Sequence, residues 1–233
     1  MPIVSDIEAL ESRILTELDA VHDFTDHTNV VWRSFQHSVR KGLKIKWTNI
    51  HTGNSATEQD LVKLAQRYNS HYLLEFTFQH FVNLHEVFVF DLLRLLLVND
   101  TRHLKLDRKV DVRTALAAPD IPTLVGSIAS RELNDLAYKP VGDWFKRLHE
   151  IVSIRCPTED EQKQLVEIKA SRDVLVHNAG VANAVYFEKA GDKARYKEGE
   201  QLEIPGDYHR DSWLLVKKVV ADLSLATKAK LGP

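Results

Sequence analysis

Apolar residues recur at helical spacing along much of the chain. Near the N-terminus, the apolar residues have the three- and four-residue spacing of one helix face: Ile7, Leu10, Ile14, Leu15, Leu18 and Val21. This spacing predicts one helix followed by a second between Ser5 and about Val39. The next segment, GLKIKWTNIHTGNS, is rich in turn formers, so we place a boundary there and treat residues 1–54 as a helical extension.

A second helical region is predicted between Ser55 and Asn99. Ser55 and Glu58 have the spacing of a capping box, which marks a helix start. The segment that follows contains no proline, and its break candidate lies around Asn69-Ser70. Its longest part is apolar on most sides and carries one narrow polar stripe, formed by Glu75, Gln79, Asn83 and Glu86. Such a pattern is typical of a central, largely buried helix.

The middle of the chain begins with a charged stretch, RHLKLDRKVDVR. Two helices are predicted after it, around Pro122–Tyr138 and Val141–Ile154. Thr158 and Glu161 then form another capping box, from which a helix should run to Gly180. The missing side chain of this glycine suits a left-handed C-cap.

The last part of the chain mixes two patterns. Between residues 184 and 204, short β-prone pieces such as AVYF and QLEI flank glycines, which predicts a small extended flap or β-hairpin. An amphipathic helix should follow from about Tyr208 to Lys230. The predicted fold class is therefore all-α, a helical bundle with this flap before the last helix.

Composition narrows the classes of function. With 44% hydrophobic residues the chain can bury a core, and 33 acidic against 31 basic residues give it no global positive field. A single cysteine, Cys156, excludes an intramolecular disulfide and a thiolate-rich zinc site. The N-terminus lacks a secretory signal, and the longest apolar run is too short to span a bilayer. We therefore expect a cytoplasmic protein without a membrane partner.

The helix that ends in SRDVLVHNAG carries the candidate chemistry. Its apolar stripe is formed by Leu165, Ile168, Leu175 and Val176, and Arg172 falls near the middle of that stripe. A cation at such a position needs a carboxylate, a ligand or a subunit interface nearby. Glu86, on the polar stripe of the central helix, is a candidate partner.

Two further relationships follow from helix geometry. Asp173 and His177 are four residues apart and share a face, so the carboxylate can hold the imidazole in one tautomer. Arg172 and His177 are five apart and diverge by about 140° around the axis. Two copies of this helix end, packed across a two-fold axis, would bring the arginine of one chain near the histidine of the other.

The pattern of Arg172, a polar residue, three apolar residues and His177-Asn178 resembles the Arg-x4-6-His signature of HEPN domains (higher eukaryotes and prokaryotes nucleotide-binding). The continuation HNAGVANAVYFEKAG and the long helix with LHEVFVFDLLRLLL are also similar to prokaryotic members. The resemblance covers residues 55–233, within which residues 100–157 are a candidate insertion. It departs from one family pattern, because some members have a modifiable tyrosine two residues after the histidine and this chain has Ala179.

The resemblance implies a metal-independent endoribonuclease of the toxin or anti-phage defence type, acting as a homodimer on RNA. No cofactor or metal is expected, and an antitoxin or regulatory protein is a further expected partner. His177 would act as base or acid and Arg172 would grip the scissile phosphate. Asp173 would orient the imidazole, Asn178 would position the sugar or cap the helix, and Glu86 would support Arg172.

Structural interpretations stay open beside this one. HNAG is also a typical helix terminus, with a histidine favoured by the helix dipole. Arg172 also fits the role of an ion-pair partner in a non-catalytic HEPN module that binds nucleotide, RNA or protein. The basic-aromatic stretch WRSFQHSVRKGLKIKW could track RNA, but we interpret it as a solvated helix face with two core tryptophans, Trp32 and Trp47.

Overall fold

The structure is a computed structural model that describes residues 2–45, 47–105 and 112–232. As predicted, these residues form an all-α fold. The helices are α1 (Pro2–Arg40), α2 (Glu58–Arg67), α3 (Leu73–Asn99), α4 (Val112–Ala117), α5 (Ile121–Ala137), α6 (Val141–Val152), α7 (Glu159–His177), α8 (Ala184–Ala190) and α9 (Gly206–Leu231). Two short strands, β1 (Trp47–Thr48) and β2 (Ser55–Ala56), pair as an antiparallel hairpin.

Helix α3 forms the centre of the bundle, which confirms the prediction of a largely buried helix. It packs against α1 on one side and against α5 and α9 on others. Its buried face includes Phe81, Phe88, Leu92 and Leu93. The main core gathers side chains from α1, α3, α5, α6, α7 and α9.

The N-terminal segment is one continuous helix, so the prediction of two successive helices was wrong. No proline or glycine interrupts residues 3–41, and nothing else in the segment breaks the helix. The first half of α1 buries Ile3, Ile7, Leu10, Ile14 and Leu18 in the main core. The division at residue 54 stays a prediction, although this half of α1 shares the core of the bundle.

The start of α2 corrects a second prediction. The capping box is formed by Thr57 and Asp60, not by Ser55 and Glu58: the Asp60 amide donates to the Thr57 hydroxyl at 3.2 Å, and the Asp60 carboxylate accepts from the Thr57 amide at 3.1 Å. Ser55 lies in β2 instead. The predicted break near Asn69-Ser70 corresponds to a π-helical turn, Tyr68–Tyr72.

The middle of the chain follows the predicted order of helices α5 and α6. A buried ion pair joins them, since Arg147 Nε donates to Glu132 Oε1 at 2.8 Å. Glu132 also accepts from the amide of Lys105 at 3.1 Å, which fixes the segment after α3. Part of the charged stretch of residues 102–113 lies outside the described residues.

The predicted flap before α9 is only partly extended. The piece AVYF is helical and begins α8, because the Asn183 side chain caps the helix by accepting from the Tyr186 amide at 2.9 Å. The later part is extended: the Leu202 amide donates to the Gly180 carbonyl at 2.7 Å, beside an antiparallel bridge between Val181 and Gln201. This segment covers the C-terminal end of α7.

Candidate functional site

Helix α7 begins and ends almost where the sequence predicts. The Thr158–Glu161 capping box is present, with the Thr158 amide donating to Glu161 Oε2 at 2.8 Å. The last helical residue is His177, and the amides of Asn178 and Gly180 both donate to the Val174 carbonyl, at 2.9 and 3.1 Å. His177 therefore lies in the last turn, exposed, at the end where the helix dipole favours a cation.

The chain leaves α7 through a tight left-handed turn. Ala179 and Gly180 have φ values of 50° and 78°. A Cβ added at Gly180 would meet only the flexible end of the Gln201 side chain, so the positive φ is the main reason that this position favours glycine. The Asn178 side chain donates to the Val181 carbonyl across this turn. Asn178 thus has a clear structural task at the helix end.

Arg172 pairs with Glu86 across the α3–α7 contact, the partner that the sequence suggested. Arg172 Nη2 lies 2.5 Å from Glu86 Oε1, and Nη1 lies 3.2 Å from Asp173 Oδ1. The Nε of Arg172 is buried and has no hydrogen-bond partner among the residues the structure describes. The guanidinium is therefore held by two carboxylates on one side and is incompletely satisfied on another.

The predicted contact between Asp173 and His177 is absent from the described residues. Asp173 is surrounded by cations, with Lys169 Nζ at 3.4 Å and Lys189 Nζ at 3.6 Å in addition to Arg172. Within the described ranges, the His177 ring makes no hydrogen bond or ion pair. Arg172, at 3.2 Å, and these two lysines therefore occupy the surroundings of the carboxylate in place of His177.

The apolar stripe of α7 also differs from the prediction. Leu165 and Ile168 are buried, but Val176 is 48% exposed. On the helix surface, Val176 lies about 40° from Arg172 and about 100° from His177, inside the arc of about 140° that separates them. The chain alone does not bring Arg172 and His177 together, and an exposed apolar residue occupies the surface between them.

Two adjoining clefts run along the exposed side of α7. The first, of about 210 Å³, is lined by His177, Asn178 and Asn183. The second, of about 190 Å³, is lined by Tyr138, Lys139 and Lys169. Ala170, Asp173 and Lys189 line both clefts, so the two form one groove.

This groove, which we call the α7 groove, is basic and carries one exposed aromatic ring. Its lining includes three lysines (Lys139, Lys169 and Lys189) against the single carboxylate of Asp173. Tyr138 lies in the turn between α5 and α6, at the end of the groove away from His177, and is 94% exposed. The local charge of the groove differs in sign from the formal net charge of −2 for the whole chain.

The opposite side of α7 holds a buried polar network that sequence reasoning missed. Glu167 accepts from the hydroxyls of Ser171 at 2.7 Å, Tyr186 at 3.0 Å and Tyr208 at 2.6 Å, and from Arg195 Nε at 3.1 Å. Burial raises the pKa of Tyr208 well above its usual value, and the Glu167 carboxylate adds to this shift. The two tyrosines therefore remain neutral donors.

A sequence signal for this network existed. Glu167 is seven residues before the apolar Val174, which places both on one helix face about 20° apart. A carboxylate in phase with the apolar face requires buried donors. Their identity could not be predicted, because the nearest donors come from α8, α9 and the segment between them.

Comparisons of the chain with protein-family models, with curated proteins and with solved structures find no match. In the described part of the chain, no cluster of three or more His, Cys, Asp or Glu side chains is arranged to hold a metal ion. None of the described helices combines the length and apolar character needed to cross a membrane.

Proposed function

We propose that the protein is a metal-independent endoribonuclease that acts on RNA in the cytoplasm as a toxin or anti-phage defence effector. The observation that carries the proposal is the arrangement at the end of α7. Arg172 is oriented by Glu86 and Asp173, and His177 opens onto the basic α7 groove. The resemblance of this helix end to the HEPN signature gives the arrangement its chemical interpretation.

The proposed reaction is attack of a ribose 2′-hydroxyl on the adjacent phosphorus. His177 removes the 2′-hydroxyl proton, or protonates the departing 5′-oxygen, as a general base or acid. Arg172 stabilises the charged phosphorane through its planar fork of donors. The 2′-oxygen–phosphorus bond forms and the phosphorus–5′-oxygen bond breaks, which leaves a 2′,3′-cyclic phosphate and a 5′-hydroxyl.

A homodimer would complete this site. Arg172 and His177 diverge on one helix, with the exposed Val176 between them. Packing two α7 ends about a two-fold axis covers Val176 and brings Arg172 of one protomer toward the partner's His177. Light scattering should then give about twice the chain mass of 26.6 kDa. A strict monomer at micromolar concentration would exclude the composite site.

The α7 groove supplies a path for the RNA strand. Lys139 and Lys189 can contact the phosphate backbone, and the exposed Tyr138 ring can stack on a base. Phosphate contacts and ring stacking both tolerate any base, so the groove by itself gives no base specificity.

A second candidate function is a non-catalytic module that binds nucleotide, RNA or protein. One observation favours it: the Arg172 guanidinium already has two carboxylate partners within its own chain. An arginine used in this way can stabilise α7 or a dimer interface without contacting a phosphate.

The deciding experiment is incubation with total RNA in EDTA, followed by analysis of the product ends. The nuclease should cleave, and His177→Ala should lower the rate by about 10²–10⁴-fold. Arg172→Lys should lose most activity, because lysine lacks the two-pronged contact to phosphate. His80→Ala, an exposed histidine on α3, is the matched control and should cleave normally.

Three outcomes would reject the nuclease. These are metal-dependent cleavage with 5′-phosphate ends, equal cleavage by a folded His177→Ala variant, and an absence of cleavage by any form of the protein. If no form cleaves and His177→Ala also breaks the dimer, the non-catalytic module takes its place. Growth arrest on expression, abolished by His177→Ala, would support the toxin assignment.

A further inference from the structure

The interpretation of the basic-aromatic stretch after residue 30 is right for its charged residues, which are exposed where the structure describes them, but wrong for its two tryptophans, which do not lie in the core. Trp47, in β1, is 44% exposed, and Trp32 is only partly buried. In the half of α1 from Val21 to Arg40, Thr25 is the single buried residue. This half of the helix therefore extends beyond the core of the bundle, and its aromatic side chains need another explanation.

These side chains belong to a continuous row of rings. Trp32 contacts Phe35 and Tyr68, with ring centroids 5.9 and 6.0 Å apart. The row continues through the π-helical turn, from Tyr68 to Tyr72 at 6.2 Å and from Tyr72 to Phe76 at 6.0 Å. We call these five residues the aromatic row.

Much of the aromatic row is open to solvent. Phe76 is 63% exposed and Tyr68 is 41% exposed. Tyr68, Tyr72 and Phe76 follow one another at four-residue intervals, through the π-helical turn and into α3. Such turns occur often at functional sites.

The sequence around Trp32 and Phe35 is rich in cations and free of carboxylates, and one arginine contacts a ring of the row directly. Residues 27–57 contain no aspartate or glutamate and five lysines and arginines: Arg33, Arg40, Lys41, Lys44 and Lys46. Arg67 stacks over the Tyr72 ring at 5.1 Å and donates to its hydroxyl at 2.7 Å. A cleft of about 490 Å³ between the ends of α1 and α2 is lined by Arg40, Lys44 and Lys63 against Glu58.

We infer that the aromatic row is a binding surface for a single strand of nucleic acid. Unpaired bases stack on aromatic rings regardless of sequence, and flanking lysines and arginines neutralise the phosphates. Aromatic side chains and arginine also suit protein interfaces, but the carboxylate-free run of residues 27–57, with its five lysines and arginines, favours a polyanionic partner. The choice of RNA rests on the proposed function; the stacking surface itself does not depend on it.

The test uses a fluorescein-labelled 2′-O-methyl oligouridine of about 16 nucleotides, the upper end of typical single-strand site sizes. The methyl group blocks the 2′-hydroxyl, so the probe binds but cannot be cleaved by the proposed reaction. Fluorescence anisotropy measures its affinity for the full chain.

Removing exposed rings should weaken binding without unfolding the protein. Tyr68→Ala and Phe76→Ala should each raise the Kd about 5-fold or more, since stacking of one base is worth about 1–3 kcal/mol. Phe76→Trp should retain affinity because it keeps a ring face. Phe187→Ala, an equally exposed ring on α8, is the matched control and should bind normally, with unchanged melting for all four variants.

Charge should contribute separately. Replacing Lys41 and Lys44 by glutamine should reduce the salt dependence, and the slope of log K against log salt should fall by about 0.7 for each phosphate that the variant no longer neutralises. A duplex of the same length should bind more weakly and should not respond to Phe76→Ala, since its bases are already stacked.

Unchanged affinity in the folded Tyr68→Ala/Phe76→Ala double variant would overturn the assignment. So would a change in oligomeric mass without a change in affinity, which would identify the row as a protein interface. The outcomes are separable from those of the nuclease test. A protein that binds the probe through the row but cleaves no RNA keeps this surface and rejects the nuclease, whereas cleavage with ring-independent binding does the opposite.

Discussion

The two sides of α7 show how the same residue types serve different ends. On the buried side, Glu167 accepts hydrogen bonds from four side chains and is almost completely shielded from solvent. On the groove side, the ion pairs of Arg172, Asp173 and Lys169 are partly hydrated, and the Nε of Arg172 lacks a partner among the described residues. A fully satisfied network fixes a structure, whereas an incompletely satisfied one can exchange a partner for a ligand.

The largest expected difference between the two sides is in stability. Glu167→Ala removes the acceptor that the buried Tyr186 and the partly buried Arg195 and Tyr208 share. The free energy of unfolding should fall by about 3–5 kcal/mol, as when one partner of a buried ion pair is removed. Urea denaturation followed by circular dichroism measures this change.

Glu188→Ala is the control for this measurement. It removes an exposed carboxylate on α8 and should change stability by no more than about 0.5 kcal/mol. Similar losses of stability in the two variants would mean that the Glu167 network does not hold α7 to α9.

Acid should destabilise the bundle through two buried histidines, His85 on α3 and His209 on α9. Burial, with the charge of Lys169 for His85 and of His22 for His209, lowers each pKa from 6.5 to about 4. The unfolded chain then binds these protons more readily than the folded one. The free energy of unfolding should therefore be highest above pH 6.5 and should fall as the pH falls toward 4. The loss is on the order of 3 kcal/mol for each histidine.

His85→Leu isolates the contribution of one histidine to this loss of stability in acid. The Nε2 of His85 has no partner among the described residues, so leucine removes the titration without removing a hydrogen bond. Melting at pH 7 should change little, and the decline between pH 6.5 and 5 should be shallower than in the parent. An identical pH profile would show that His85 does not titrate on unfolding.

The ion pair on the groove side should contribute less than the Glu167 network. The side chains of Arg172 and Glu86 are partly exposed, so a double-mutant cycle with Arg172→Ala and Glu86→Ala should give a coupling of about 1–2 kcal/mol, between the values of exposed and buried pairs. A coupling near zero would mean that Glu86 does not orient Arg172 in solution.

The smallest effect is expected at the helix end. His177 makes no hydrogen bond or ion pair within the described ranges, and it lies at the C-terminal end of the helix dipole. His177→Ala should therefore cost about 0.3–1 kcal/mol. A destabilisation as large as that of Glu167→Ala would mean that His177 has a structural role and not a catalytic one.

The fold was largely predictable because its signals are local. The Thr158–Glu161 box, the apolar phase of α3 and the order of α5, α6 and α9 depend on residues close in sequence. The exceptions had both local and distant causes. AVYF has β-branched and aromatic residues but forms α8, because Asn183 caps it and Tyr186 bonds to Glu167.

The candidate site was predictable in part for the same reason. The Arg172–Glu86 pair followed from helix phases, whereas the expected Asp173–His177 contact failed because Lys169 and Lys189 compete for the carboxylate. Lys189 lies on an element whose position no local pattern fixes. Pair preferences within one helix are weak, at about 0.2–0.5 kcal/mol, and a neighbouring element can overrule them.

Because α1 is long, its two halves should exchange their backbone amide hydrogens at different rates. A helix of 39 residues is about 58 Å long, and only its first half is buried in the core. Backbone amides near Ile7 and Ile14 should exchange with deuterium only on global unfolding, and those beyond Val30 through local fraying. A ligand bound to the projecting half would slow amide exchange there and leave exchange in the buried half unchanged. Exchange in the projecting half therefore measures ligand binding, and exchange in the buried half measures global unfolding.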